Sequence, residues 1–179
     1  MGSEMCIRDR RKDFVPKMVE QLKEDLQLKS SPRKIEAFDI SHLGGTNTVA
    51  SMVSFFDGKP KKNEYRKYNI KTVEGIDDFA SMREVVLRRY SRVKKEGLGF
   101  PDLILIDGGK GQLSMAVSAL RELGLEYITV IGIAKRLEEV FVPGHSDPQN
   151  IPKSSSGLIL LRRIRDEAHR FAITFQRTK

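Results

Sequence analysis

The period of apolar positions changes several times along the chain, and each change marks an element. In residues 12–28, Val15, Met18, Val19, Leu22 and Leu26 recur at helical spacing, which predicts an amphipathic helix. Pro16 fits only its first turn, so the helix starts a few residues after Lys12, and Ser30, Ser31 and Pro32 end it. Its apolar stripe must pack on something, either this domain or an upstream one. The period then shortens. Residues 35–40 and 48–56 read as strands separated by a Gly44-Gly45 turn, and Asp57-Gly58 is a short-hairpin signal leading to a third strand over 63–70. The connections are too short for parallel crossovers, so these three form an antiparallel meander. Helical spacing resumes near Asp77 with Phe79, Met82, Val86, Leu87 and Tyr90, and stops at Gly97 and Gly99. Residues 103–107, LILID, form the near-continuous apolar run of a strand covered on both faces. After Gly108-Gly109 come a helix over 112–123, a buried strand over 127–134, a hairpin or flap over 138–142 with a loop to 152, and a final helix over 158–175.

Three antiparallel strands extended by two parallel ones, with helices on both faces, make an α/β fold of the ribonuclease H-like arrangement with a mixed five-stranded sheet. The expected organisation is a ragged start over 1–11, which takes the single Cys6 with it, a linker helix over 12–32, and one domain over 33–179.

Composition narrows the partners. The net charge of +8 favours a polyanion. The longest apolar stretches are strand-sized, too short to span a bilayer, and the N-terminus lacks the apolar segment of a secretory signal. One cysteine allows no internal disulfide, which fits a cytoplasmic location.

Several side chains are candidates for chemistry. Asp39 sits in mid-strand between Phe38 and Ile40, where a carboxylate is costly unless it meets an arginine or a cation. Asp107 closes the LILID run, and sheets with parallel strands place ligands beyond the carboxyl ends of those strands; the bland alternative is a turn aspartate. Asp77 and Asp78 open a helix, so one can cap it while the other faces a site. His169 lies on the final helix within reach of Arg165 and Asp166, either of which could orient it; a lone helix histidine is more often a surface residue. His42 and His145 have weaker context. Gly108-Gly109-Lys110-Gly111-Gln112 lacks the spacing of a nucleotide-binding P-loop, but helix-start amides with Lys110 could hold a phosphate beside Asp107. There is no CxxC pair and no HExxH, so zinc is not indicated. Three aspartates and an imidazole suit a hard divalent cation such as Mg²⁺ or Mn²⁺.

The runs IEAFDISHLGGTNTVASMV, KYNIKTVEGIDDFASM, FPDLILIDGGKGQLSMA, GIAKRLEEVFVPG and RIRDEAHRFAITF resemble the C-terminal endonuclease domain of the UvrC family of bacterial excision-repair proteins. The resemblance covers about residues 33–179. It implies a ribonuclease H-like fold and cutting of damaged double-stranded DNA on the 5′ side of a lesion that UvrB has marked, with UvrA acting upstream. The family's site residues match Asp39 in FDISH, Asp78 in GIDDF, Asp107 in LIDGG and His169 in RDEAH. Asp39, Asp107 and His169 are then the expected metal ligands, with His169 alternatively a proton carrier, and Lys110, Lys135, Arg136 and Arg165 the expected phosphate contacts. The rival functions are cleavage of RNA in a hybrid and a non-catalytic binding module on the same fold; presence of all four site residues argues against the latter.

Overall fold

The computed structural model describes residues 14–43 and 47–178, with backbone alone for Leu43 and 175–178. Cys6 and the Gly44-Gly45 turn lie outside the described residues. The first helix, α1, spans Lys17–Asp25 and begins directly after Pro16. Strands β1 (Lys34–Leu43) and β2 (Asn47–Phe56) pair antiparallel along their whole lengths. Asp57 and Gly58 take φ of 50° and 80°, the pair of left-handed residues a two-residue hairpin needs, and return the chain into β3 (Lys59–Pro60).

The third strand expected over 63–70 is shorter, Arg66–Asn69, and the two-residue β3 precedes it outside those bounds. After β3 a 3₁₀ turn (Lys62–Glu64) lifts the chain off the sheet, and β4 (Arg66–Asn69) rejoins β2 at Val49–Met52. Pro60 has no N–H with which to continue the ladder. Tyr65 turns inward at the break, and its hydroxyl donates to Glu167 of the last helix at 2.8 Å.

Helix α2 (Asp78–Glu96) is capped by Asp77, which accepts from the Ala80 N–H at 3.0 Å, and closes on Gly97 in left-handed backbone. Strand β5 (Leu103–Asp107) runs parallel to β1, and β6 (Thr129–Ile133) runs parallel to β5, with helix α3 (Lys110–Glu122) between them in sequence. A two-residue β7 (Val140–Phe141) pairs antiparallel with β6, and α4 (Ser156–Thr178) ends the chain. The sheet order is β3-β2-β1-β5-β6-β7, with β4 also on β2. The expected five-strand plan therefore has seven strands, because the two-residue β3 and β7 are added to it.

Strand alternation splits the core. Phe38, Met52, Ile104 and Ile106 face α2 and α3, while Ala37, Val53, Leu103 and Leu105 face α1 and α4. Val19 and Leu22 of α1 are fully buried against this second face, so the stripe of the first helix packs on this domain. The approach is close at Gly157, where a Cβ would lie 2.8 Å from the Leu22 backbone nitrogen. On α2 the buried residues include Val85 and Val93, whereas Phe79, expected on the inner face, is half exposed. Its ring lies over Gly111 at the start of α3, which has no side chain to oppose it. Tyr127, expected in β6, precedes it and is exposed. Among the described residues no helix is long and apolar enough to cross a membrane.

Candidate functional site

The parallel register pairs Phe38 with Ile106. One step further along both strands are Asp39 and Asp107, so two neighbouring strands deliver two carboxyls to the same end of the sheet. Asp39 is 2% exposed and Asp107 8%. Asp39 Oδ2 and Asp107 Oδ1 are buried with no hydrogen-bond partner among the described residues. Two unpartnered acceptors side by side are costly unless a proton or a cation sits between them. Burial raises the pKa of Asp39, and the nearby charge of Asp78 adds to this. Asp107 is pushed up to about 7, by burial first and then by the charge of Asp39 beside it. Lys135 opposes the shift at both carboxyls, and Arg165 at Asp107. Without a cation, this pair holds a shared proton near neutrality.

Helix α4 recrosses the sheet and brings His169, 130 positions after Asp39 in sequence, to within 3.5 Å of it (Nδ1 to Asp39 Oδ2). The imidazole is 59% exposed, so one edge faces the carboxylate and the remainder faces solvent. Neither Arg165 nor Asp166 orients it. Arg165 instead bonds Asp166 at 2.9 Å and pairs with Glu138 at 3.0 Å. Glu138 also pairs with Arg162 at 3.2 Å, so the loop after β6 is tied to α4 by two arginines. That loop is unusual in its backbone: Leu137 and Glu138, neither a glycine, take φ of 63° and 52°. It leaves Lys135, Arg136 and Leu137 exposed, with Lys135 near enough for its charge to act on both aspartates.

Asp78 occupies the first turn of α2, freed for other contacts because Asp77 does the capping. Its carboxylate accepts from His42 Nε2 at 2.7 Å. In the sequence His42 has only a weaker context, its place three residues after Asp39; the structure adds its contact with Asp78. Lys110, at the start of α3, donates to the Ser146 carbonyl at 2.8 Å. It lines a groove of about 490 Å³ with Arg121, Ser114 and the exposed His145.

A buried network beneath the opposite face of β1 escaped sequence reasoning. Glu36 accepts from the Tyr90 hydroxyl at 2.7 Å and from Arg89 at 3.1 Å, all three being buried. It anchors α2 to β1 three residues before Asp39.

No three His, Cys, Asp or Glu side chains among the described residues converge as a ready-made metal cage. The two-carboxylate edge does suit an ion such as Mg²⁺ or Mn²⁺, which is commonly held by one or two carboxylates and takes its other ligands from water and phosphate. The unpartnered Asp39 and Asp107 oxygens are the donors such an ion requires.

Residues 23–173 match the family model described as "UvrC RNAse H endonuclease domain". The chain is 57% identical over 166 residues to UvrABC system protein C of Christiangramia forsetii, covering 92% of this chain and 28% of that protein. It is also 57% identical over 159 residues to the protein of the same name from Methanococcus maripaludis, covering 89% of this chain and 30% of the relative. The chain thus spans less than a third of the length of these relatives. Among solved structures, a Ciona intestinalis endonuclease V bound to an inosine-containing DNA aligns with a TM-score of 0.45 and 18% identity, over 92% of this chain and 69% of that one.

Proposed function

Because the chain belongs to the family of UvrC RNase H endonuclease domains, we propose that it is a metal-dependent endodeoxyribonuclease that hydrolyses a phosphodiester on the 5′ side of a lesion in nucleotide excision repair. Its substrate on this reading is damaged double-stranded DNA marked by UvrB, with UvrA acting upstream. The observation that carries the reading is the buried Asp39–Asp107 pair, each carboxyl with an unpartnered oxygen, Asp107 at the end of β5 and Asp39 beside it within the parallel neighbour β1, with the exposed Lys135 acting on both.

Asp39 and Asp107 would hold Mg²⁺ or Mn²⁺, which when bound supplies Lewis-acid stabilisation of charge on the phosphate. Lys135 and Arg136 bind phosphates flanking the cut and steer the strand over the pair. Lys110 and the first amides of α3 hold a further phosphate beside Asp107. Arg165 keeps the 134–139 loop in place through Glu138 as well as facing the site. His169, close to Asp39 yet open to solvent, either completes the ligand set or carries a proton to or from the reacting oxygens. Asp78 contributes a third carboxylate at the rim.

Incision of an end-labelled, lesion-bearing duplex in the presence of UvrA, UvrB and Mn²⁺ tests this, since product length reports the side of the cut. Asp39→Asn and Asp107→Asn should each reduce cutting to background with the fold intact. Near-normal cutting by either variant removes that residue from the site. A wild-type chain that binds DNA but never cuts it would be a non-catalytic module.

A further inference from the structure

We propose that His42 is a positioning residue of this site, holding the Asp78 carboxylate toward the Asp39–Asp107 pair through a Thr48–His42–Asp78 hydrogen-bond chain. The inference rests on the reading of the site as a divalent-ion nuclease centre. Strand alternation places Asp39 on the α4 side of β1 and His42 on the α2 side, so each face of the same strand end serves a different helix. His42 Nε2 lies 2.7 Å from Asp78 Oδ1, and Nδ1 lies 3.1 Å from Thr48 Oγ1. A carboxylate can only accept, so Nε2 carries the donated hydrogen, and the Thr48 hydroxyl, which can donate or accept, partners Nδ1. Thr48 is the residue directly opposite His42 in the β1–β2 register, so the ring is braced from the sheet itself.

Asp78 needs such a brace. It is 44% exposed, sits beside Asp77 and lies near enough to Asp39 to feel its charge. Unheld, a carboxylate repelled by two others turns to solvent. Residues that orient the groups around a metal site through hydrogen bonds typically matter about 10–100-fold in affinity or activity.

The test is calorimetric Mn²⁺ binding to the purified chain, with thermal unfolding and incision measured in parallel. His42→Ala should weaken Mn²⁺ binding by about 10–100-fold while the unfolding midpoint of the metal-free chain stays close to wild type. His42→Gln, whose amide N–H can reach the Nε2 position, should recover most of the affinity, and Thr48→Val should lose a smaller part. His42→Ala combined with Asp78→Asn should bind Mn²⁺ no worse than Asp78→Asn alone, because the two act as one unit. Unchanged Mn²⁺ affinity in His42→Ala, or additive losses in the double variant, overturns the positioning role while leaving the nuclease reading standing. A wild-type chain that neither binds Mn²⁺ nor cuts overturns both.

Discussion

At the scale of single residues, the site is defined by where charge is unwelcome. Asp107, raised to about 7, binds its proton more tightly in the folded chain than in the unfolded one. Its contribution to stability is therefore complete below the unfolded carboxylate pKa of about 4 and is lost as pH rises through about 7. Other carboxylates run the opposite way: Glu84 is held down by Thr72, Lys71 and Arg88, and Glu167 by Arg170 and Tyr65. The diagnostic quantity is therefore the difference between wild type and Asp107→Asn. In urea unfolding without divalent ions, Asp107→Asn should gain on wild type by a few kcal/mol between about pH 4 and pH 7. A difference that stays flat with pH would show that Asp107 is not strained in the folded chain. His169 gives a second residue-scale prediction. Replacing a 59% exposed helix histidine with alanine should change stability by less than about 0.5 kcal/mol, yet incision should fall severely if the imidazole serves the reaction. Full incision by a stable His169→Ala chain would return that residue to the ordinary helix surface.

At the scale of elements, the geometry depends on how closely the turn after β5 can approach its neighbours. A Cβ on Gly132 of β6 would lie 2.9 Å from the Gly108 carbonyl oxygen, and backbone cannot move aside without disturbing the Asp107–Gly109 turn. A Cβ on Gly111 would meet the ring of Phe79, a half-exposed side chain free to rotate away. Gly132→Ala should therefore cost about 1–3 kcal/mol and depress incision, while Gly111→Ala costs clearly less. Thermal unfolding of the two variants side by side checks this, and equal losses would contradict it. The same scale explains the 134–139 loop. Its left-handed Leu137 and Glu138 persist because Arg162 and Arg165 hold Glu138, which keeps Lys135 beside both aspartates.

At the scale of the whole molecule, an acidic centre is embedded in a chain of net charge +8. Substrate attraction must come from cations that are not already committed. Arg165 is occupied by Glu138 and Asp166, whereas Lys110, Lys135 and Arg136 are exposed and in no ion pair among the described residues. DNA binding should weaken steeply with salt, and Lys135→Ala and Arg136→Ala should each lower the magnitude of the log–log salt slope by about one. Arg165→Ala should instead act mainly by loosening the loop. Salt-independent binding, measured by fluorescence anisotropy, would contradict the electrostatic account.

The order and type of the elements were legible in the sequence because they follow from local periodicity: helical stripes in α1 to α4, the doubly buried LILID strand, and the Asp57-Gly58 hairpin. The candidate residues Asp39, Asp78, Asp107 and His169 were legible as a carboxylate in mid-strand, another opening a helix, a third at a strand end, and a family motif on the last helix. Where a local rule met a long-range one, the sequence pattern was insufficient. The third strand begins only at Arg66, because Tyr65 is drawn inward to Glu167, 102 residues away. Phe79 leaves the inner face of its helix for the gap above Gly111. Only the tertiary structure could set Asp39 opposite Asp107, bring His169 back to Asp39 and join His42 to Asp78. Those contacts depend on strand register and helix crossing, which arise from packing distant segments and leave no period in the chain.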